Sequence, residues 1–163
     1  MAWRSPVGTT GKLLDMEPVF KLASASNTEI LVNLMSELYA HERLPFEEKA
    51  ARSTLKLIFD NDAYGQIHLI YINNEIAGYL VVTFGFSLEF RGRDAFVDEI
   101  YIQEKYRGQG VGKKSLKLAE EICRTQGIQA LHLEVERENT YAQALYRRSG
   151  FIDHDRYLLT KWL

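Results

Sequence analysis

One stretch decides the fold of this chain, and it reads Asp98-Glu99-Ile100-Tyr101-Ile102-Gln103-Glu104-Lys105-Tyr106-Arg107-Gly108-Gln109-Gly110-Val111-Gly112-Lys113-Lys114. A strand-like run ends there, an arginine-led glycine loop follows, and the next residues have the periodicity of a long amphipathic helix. Glycine permits tight turns and close backbone approach, and the first N–H groups of a helix have no intrahelical partner. Together these features predict a cradle for a phosphate or pyrophosphate group.

The composition of the chain narrows the classes of function. Its 163 residues are 46% hydrophobic and 26% charged, which favours one globular domain. The formal net charge of −2 argues against a nucleic-acid partner held by bulk positive charge. No apolar run approaches the ~18 residues of a membrane span, so we expect no membrane partner. The single cysteine, Cys123, has no partner for an internal disulfide, which favours a reducing, cytoplasmic location.

The N-terminal residues differ in composition from the rest of the chain. Ser5-Pro6, Gly8 and Gly11 lie within a stretch that lacks the apolar core of a signal peptide. We therefore expect residues 1–16 to form a flexible tail and residues 17–163 to form a single domain.

Hydrophobic periodicity and turn signals predict elements in the order β, α, α, β, β, β, α, β, α, β, β. Asn73-Asn74 is typical of a two-residue hairpin turn, because asparagine tolerates positive φ. The last two strands are predicted at residues 151–152 and 157–162. Strand-helix-strand units around the glycine loop predict locally parallel strands. The expected fold class is α/β, a mixed sheet with helices on both faces.

Three known kinds of glycine loop compete for the central stretch. A P-loop requires Gly, four residues, then Gly-Lys-Ser/Thr, but Arg107 stands in place of the first glycine and Lys114 in place of the hydroxyl residue. A dinucleotide fingerprint requires G-x-G-x-x-G, and here the third glycine comes one residue too early, at Gly112. The remaining pattern is Arg-x-x-Gly-x-Gly.

A second motif lies downstream and reads Asn139-Thr140-Tyr141-Ala142-Gln143-Ala144-Leu145-Tyr146-Arg147-Arg148-Ser149-Gly150-Phe151. With the Arg-x-x-Gly-x-Gly loop before it, this segment resembles the Asn-x-x-Ala-x-x-Leu-Tyr-x-x-x-Gly-Phe segment of the GNAT superfamily of N-acetyltransferases. The resemblance extends over roughly residues 18–163. It implies a GNAT-like acyl-CoA N-acyltransferase fold, with about seven strands, about four helices and a splayed fourth and fifth strand.

The resemblance also implies a cosubstrate, acetyl-CoA, with no metal. Pantetheine would pair with the fourth strand at Ile100, Tyr101 and Ile102. The pyrophosphate would be held along the loop, at Arg107, Gly108, Gln109, Gly110, Val111, Gly112 and Lys113. Asn139 would lie near CoA and also cap the last helix. Because many members of the superfamily are dimeric, a homodimer is one expectation that the resemblance carries.

Acetyl transfer to an amine requires a base, an oxyanion donor and an acid for the leaving thiolate. Tyr146 matches the position of the family's general acid, and its hydroxyl pKa near ~10 suits a thiolate of similar basicity. Strand alternation predicts that Val97, Glu99 and Tyr101 share one face and that Asp98 points to the other, unless a bulge changes the alternation.

Three carboxylates are candidates for the general base. Glu99 ranks first because it lies on the fourth strand beside the expected acetyl site. Glu134 on the fifth strand ranks second, since some relatives that act on peptide N-termini use a glutamate placed this way. Asp98 ranks third. Each of the three also has a structural interpretation as a solvated or ion-paired strand residue.

The leading functional hypothesis is transfer of acetyl from acetyl-CoA to the primary amine of a small molecule by direct attack in a ternary complex. No charge run marks a macromolecular partner, which favours a small acceptor. A peptide Nα-acetyltransferase is the alternative favoured by the spacing from Glu134 to Tyr146. A non-catalytic acyl-CoA-binding module is the third hypothesis.

Overall fold

A computed structural model of the chain describes residues 17–163 and contains four α-helices and one five-stranded sheet within that range. In chain order the elements are β1 (Val19–Leu22), α1 (Thr28–Glu42), α2 (Glu48–Asp60), β2 (Gly65–Ile72), β3 (Glu75–Ser87), β4 (Gly92–Ile102), α3 (Val111–Thr125), β5 (Ala130–Leu133) and α4 (Thr140–Arg148). Short 3₁₀ turns precede α1 and follow β4, at Ala25–Asn27 and Glu104–Tyr106. The tail expected at residues 1–16 lies outside the described residues.

The strands lie in their chain order, β1-β2-β3-β4-β5. Neighbouring strands are antiparallel from β1 to β4, and β4 and β5 are parallel. A parallel pair needs a crossover, and α3 provides it. The mixed α/β fold class predicted from the sequence is therefore confirmed.

Helices cover both faces of the sheet, as predicted. On one face α1 and α2 bury a cluster that includes Leu31, Leu55 and Tyr79. On the other face α3 and α4 bury a cluster that includes Leu80, Leu116 and Tyr146. Within the described range, no helix is both long and apolar enough to cross a membrane.

The hairpin between β2 and β3 follows the sequence prediction. Asn73 and Asn74 have φ of 50° and 64°, the left-handed conformation required at both central residues of a type I′ turn. Asparagine adopts this conformation more readily than other residues with a Cβ, because its short polar side chain bonds locally.

The strand count differs from the prediction of about seven. Neither terminal strand, at residues 151–152 or 157–162, is present among the described residues, and β5 ends at Leu133 rather than Glu136. Neither run pairs with the described sheet, whose ladder stops at β5, and Tyr157 and Trp162 are 79% and 92% exposed. Strand composition alone does not make a strand, because a strand requires that its backbone groups pair with a neighbour.

Strand β4 carries a β-bulge that changes its alternation. Val81 pairs with Glu99 and Val82 pairs with Val97, so Asp98 is the extra residue without a partner on β3. Val97 therefore packs on the same face as Ile100, in the α3–α4 cluster, while Tyr101 packs on the α1–α2 face. The prediction that Val97 shares a face with Glu99 and Tyr101 is wrong, because it assumed unbroken alternation.

Candidate active site

The candidate site lies where β4 and β5 part. The two strands pair from Asp94 with Ala130 to Val97 with Leu133, and the pairing stops at the bulge. Beyond the bulge β4 pairs only with β3. The splayed pair implied by the resemblance is therefore present, and its gap borders residues 98–102.

Backbone groups of β4 point into this gap. The N–H of Gln103 donates to the carbonyl of Ala77 on β3, at 2.8 Å. Because N–H directions alternate along a strand, the N–H groups of Ile100 and Ile102 point the opposite way, into the gap. The Nε of Arg107 donates to the carbonyl oxygen of Ile102 at 2.8 Å, which agrees with that direction. The edge of β4 beside the gap can thus pair with an extended ligand.

The glycine loop connects this edge to α3. Gly108 and Gly110 have φ of 74° and 79°, a conformation that strains any residue with a Cβ. Gly110 is the N-cap of α3, and Val111 and Gly112 are buried in its first turn. A left-handed residue directly before a helix directs successive N–H groups toward one point. This backbone is suited to bind an anion such as pyrophosphate.

The side chains of the loop have several contacts of their own. The Nε2 of Gln109 donates to the carbonyl of Lys105 at 2.9 Å, and the side chain of Lys113 is exposed on α3. The Arg107 guanidinium lies 5.7 Å from the centroid of the Tyr101 ring while its Nε holds Ile102. Arg107 therefore links the loop to the β4 edge in addition to any contact with phosphate.

A small acidic cavity lies next to the bulge. Its volume is about 110 Å³. Its walls come from the end of α1, the following turn and β4, and are formed by Leu38, Tyr39, Glu42, Leu44, Asp98, Glu99 and Ile100. Three carboxylates thus line one cavity, and Ile100, whose N–H points into the gap, is part of the same wall. Such a cavity favours a cationic ligand.

Glu99 is held in place by two tyrosines on different elements. The hydroxyl of Tyr79 on β3 donates to Oε2 at 2.7 Å, and the hydroxyl of Tyr39 on α1 donates to Oε1 at 3.2 Å. Burial raises the pKa of Tyr39 to about 12, with the Glu99 charge adding to the shift, so this phenol remains a donor at neutral pH. Both oxygens of Glu99 are therefore oriented by donors.

The carboxylates at the bulge have raised pKa values. Burial is the main cause of the raised pKa of Glu99, and the nearby charges of Asp98 and Glu42 add to it, whereas the two phenol hydrogen bonds lower it. Burial also raises the pKa of Asp98. Asp98 is the more exposed of the two by surface area. A carboxylate with a raised pKa is a better proton acceptor than an ordinary surface carboxylate.

Tyr146 approaches the same region from α4. Its side chain is 4% exposed and packs in the same cluster as Ile100, with its ring against Phe151. Burial raises its pKa well above the usual value for tyrosine, and the Glu42 carboxylate contributes to the shift. The structure thus brings Tyr146 within electrostatic range of a cavity wall.

Two other predicted residues have different surroundings. Glu134 lies one residue beyond β5, with an exposed side chain, and is not among the cavity-lining residues. Asn139 is the N-cap of α4, and its Oδ1 accepts a hydrogen bond from the Ala142 N–H at 3.1 Å, which confirms its predicted capping role. In residues 17–163, no group of three or more His, Cys, Asp or Glu side chains could hold a metal ion.

Sequence reasoning missed two residues of this site. Glu42 is the last residue of α1 and a wall of the cavity, and Tyr79 orients Glu99 from the neighbouring strand. Glu42 resembles an ordinary surface residue at a helix end. The sequence held one signal for the position of Tyr79. The hairpin turn at Asn73-Asn74 sets the register of β3 against β2, and β3 in turn pairs with β4.

Comparisons with known proteins agree with this geometry. Thialysine N-epsilon-acetyltransferase of Bos taurus is 29% identical over 135 residues, covering 76% of this chain and 77% of that protein. The crystal structure of integron cassette protein HFX_CASS3, from the mobile metagenome of Cole Harbour Salt Marsh, has a TM-score of 0.79 and 32% identity, covering 88% of this chain and 90% of that one. A predicted acetyltransferase from Clostridium acetobutylicum, solved with acetyl-CoA, shares the fold with a TM-score of 0.76 and 16% identity, covering 89% of this chain and 96% of that one.

A family model described as Acetyltransferase (GNAT) family matches residues 32–151. The match includes the bulged strand, the glycine loop and α4. Because it spans well over half of the sequence, this chain belongs to the GNAT family, the acetyl-CoA-dependent N-acetyltransferases.

Proposed function

We propose that this enzyme transfers the acetyl group of acetyl-CoA to the primary amine of a small cationic molecule, by direct attack in a ternary complex. The observation that carries the proposal is the acidic cavity at the β4 bulge, which lies beside the gap between β4 and β5. A positively charged acceptor would be concentrated there, with its amine next to the edge of β4.

Two features of the chain support acetyl-CoA binding at this place. The backbone groups of Ile100 and Ile102 point into the gap and are available to an extended pantetheine, whereas those of Tyr101, the third residue predicted for this edge, point toward β3. The left-handed glycines before α3 form a cradle for pyrophosphate, to which Arg107 and Lys113 add positive charge. Asn139, which caps the start of α4, is proposed to lie near CoA as well.

Glu99 is the proposed general base. An alkyl ammonium has a pKa near ~10.4 and must lose a proton before it attacks. Glu99 has the required features: it lines the cavity, its carboxylate is oriented by Tyr39 and Tyr79, and its pKa is raised. Asp98 is a second cavity carboxylate that would attract the ammonium. Glu134 is the weaker candidate, because its exposed side chain lies outside the cavity wall.

Two further groups are proposed to stabilise the oxyanion and the leaving thiolate that form during the reaction. The Ile100 N–H is the proposed donor to the oxyanion that forms when the amine attacks the thioester carbonyl. Tyr146 is the proposed general acid for the leaving thiolate. Tyr146 is protonated at neutral pH, as a general acid must be, although the burial that raises its pKa makes it a weaker acid than an ordinary phenol.

A small acceptor is favoured over a protein by the name of a relative, whereas the cavity limits only the size of the group that reacts. About 110 Å³ between the end of α1 and the bulge accommodates one aminoalkyl group. The relative from Bos taurus is named for the ε-nitrogen of thialysine, a small amine. A cytoplasmic location is part of the proposal and is consistent with the single cysteine.

The test is CoA thiol release from acetyl-CoA with a panel of amines. The panel contains lysine, thialysine, diamines, polyamines, an aminoglycoside and peptides with free N-termini. We expect turnover above background with small amines that carry a positive charge besides the reacting amine. Turnover with peptide N-termini alone would replace the proposal by peptide Nα-acetylation. Tight acetyl-CoA binding without turnover of any amine would replace it by a binding module.

A further inference from the structure

We propose that Glu75, which lies outside the glycine loop, is a positioning residue for acetyl-CoA, because it holds the turn that leads into the loop and so keeps the loop ready for the pyrophosphate. Glu75 is the first residue of β3 and follows the hairpin turn at Asn73-Asn74. The inference rests on the proposed role of the glycine loop. It extends that role to a strand that does not border the gap between β4 and β5.

The Glu75 carboxylate accepts hydrogen bonds from two successive residues of the 3₁₀ turn after β4. The hydroxyl of Tyr106 donates to Oε2 at 2.5 Å, and the Nζ of Lys105 donates to the same oxygen at 2.8 Å. The Lys105 ammonium and then the Tyr106 hydroxyl hold the pKa of Glu75 below its usual range, so the carboxylate is ionised at neutral pH. The ammonium also lies 4.7 Å from the centroid of the Tyr106 ring. Three side chains from two elements thus meet at one point.

The contact with Tyr106 carries more weight than the ion pair with Lys105. The Lys105 and Glu75 side chains are 61% and 65% exposed, and an ion pair between exposed side chains contributes little. Tyr106 is only 7% exposed, and its ring packs in the α3–α4 cluster. A hydrogen bond to an ionised acceptor is stronger than one between neutral groups. Glu75 therefore fixes a side chain that is itself anchored in the core.

Tyr106 directly precedes Arg107 and the glycines, and backbone contacts hold this segment in place. The Tyr106 N–H donates to the Gln103 carbonyl at 2.9 Å, and the Gln103 N–H donates to the carbonyl of Ala77 on β3 at 2.8 Å. The Nε2 of Gln109, inside the loop, donates to the Lys105 carbonyl at 2.9 Å. The start of the loop is thus tied to β3 at two points, once through the backbone and once through the carboxylate.

A glycine loop depends on such support more than another loop would. Gly108 and Gly110 give the backbone more conformational freedom than other residues do, so ordering the loop around a ligand costs more entropy. A loop that is already ordered in the free protein avoids part of that cost and binds its ligand more tightly. Loss of Glu75 should therefore weaken CoA binding and leave the reacting groups at β4 as they are.

Simple electrostatics predicts the opposite sign, which makes the test sharp. CoA is anionic, so removing a carboxylate beside the turn should by charge alone strengthen its binding. We expect instead that Glu75→Leu, which removes the charge and the hydrogen-bond acceptor together, raises the Kd for CoA about tenfold. Glu104→Leu is the matched control, because Glu104 is an exposed carboxylate in the same turn that accepts no hydrogen bond from Tyr106 or Lys105. Its Kd, measured by calorimetry, should stay the same or fall.

Two further variants and a kinetic measurement separate positioning from a general loss of structure. Glu75→Gln keeps an oxygen that can accept from Tyr106 and should recover most of the lost affinity. Tyr106→Phe keeps the ring in the core, should weaken CoA as Glu75→Leu does, and should add little when the two are combined, since both remove one contact. In Glu75→Leu the KM for acetyl-CoA should rise, whereas kcat and the KM for the amine stay within about twofold.

The outcomes distinguish this proposal from the cradle on which it rests. A CoA affinity in Glu75→Leu and Tyr106→Phe that equals or exceeds that of Glu104→Leu would overturn the role of Glu75, and so would an equal loss of kcat and of amine affinity. If Gly110→Ala weakens CoA binding and Glu75→Leu does not, the cradle stands and Glu75 has no part in it. If neither variant changes CoA binding, the pyrophosphate is held elsewhere and both assignments are wrong.

Discussion

At the residue scale, the proposed mechanism assigns the protonation of the acceptor to Glu99 and that of the leaving group to Tyr146. Glu99 and Tyr146 lie on different elements, and Glu42 is electrostatically coupled to both. The motif identified Tyr146 from the sequence, because the spacing within its helix is fixed. Glu42 and Tyr79 were not identified, because their contribution depends on the packing of α1 and β3 against β4.

Substituting Tyr146 by phenylalanine tests the proposed acid. Tyr146→Phe should lower kcat by about 10²-fold, because the thiolate then leaves without a proton donor, while the Kd for CoA stays the same. Tyr71→Phe on β2 makes the same chemical change away from the cavity and should leave kcat unchanged. Steady-state kinetics and CoA binding by calorimetry measure both effects. An unchanged kcat in Tyr146→Phe contradicts the assignment.

Removing the stronger donor to Glu99 tests the proposed base through its pKa. Tyr79→Phe deletes the 2.7 Å hydrogen bond that stabilises the ionised carboxylate. The other groups that influence Glu99 remain, namely Tyr39 and Glu42 from α1 and Asp98 from β4. The pKa of Glu99 should therefore rise further, which moves the acidic limb of the kcat/KM profile to higher pH.

Substitutions at Glu134 and Glu99 show which of the two carboxylates produces the acidic limb. Glu134→Gln should leave the acidic limb in place if Glu99 is the base, and Glu99→Gln should remove the limb together with most of the activity. An acidic limb that responds to Glu134→Gln and not to Tyr79→Phe would transfer the role to Glu134.

At the element scale, two local features of the β4–α3 unit form the candidate site, namely the bulge in β4 and the glycine loop before α3. The glycine loop was readable from the sequence, because left-handed backbone requires glycine at Gly108 and Gly110. The sequence left a bulge at Asp98 open but could not decide it, because the residue itself shows no unusual feature and the extra residue is visible only in the pairing with β3. The faces of β4 were misassigned for that reason.

A pair of glycine substitutions separates backbone strain from ligand binding. Gly110→Ala places a Cβ at φ of 79°, and Gly127→Ala does the same at φ of 67° after α3. Each should destabilise the fold by roughly 1–2 kcal/mol, since both force alanine into the left-handed region. Only Gly110→Ala should also weaken CoA binding, measured by calorimetry. Equal CoA affinity in the two variants would contradict the cradle.

At the scale of the whole molecule, helices cover both faces of the described sheet, and β1 and β5 are its edge strands. The order of elements and the helices on both faces followed from periodicity. The missing terminal strands did not, because the Tyr157–Trp162 run has strand composition while its pairing partner is decided outside local sequence. The same limit applies to β5, which ends at Leu133, where its pairing with β4 stops.

The stability of the whole molecule should reflect the buried charge at the bulge. The pKa of Glu99 is raised on folding, so the folded state keeps this proton at pH values where the unfolded chain, with a pKa near ~4.3, has lost it. The ionised group therefore destabilises the fold at neutral pH, and this penalty shrinks as pH falls below the raised pKa and is gone near the unfolded pKa.

Glu99→Gln should consequently raise the Tm at neutral pH, with the difference from wild type shrinking toward acidic pH. Glu134→Gln is the control, because its side chain is exposed, and its Tm should follow that of wild type across the range. Thermal unfolding followed by circular dichroism measures both. A Tm of Glu99→Gln that is lower than wild type at neutral pH would show that the two phenol hydrogen bonds outweigh the burial of charge.

The central claim is direct attack of a small cationic amine on acetyl-CoA, with both bound at the gap beside Asp98 and Glu99. Initial velocities of thiol release, measured while acetyl-CoA and the best amine of the panel are varied together, test it most directly. The account predicts double-reciprocal lines that intersect, because both substrates must be bound before the acetyl group moves. Parallel lines, the pattern of a covalent acetyl-enzyme, would contradict it.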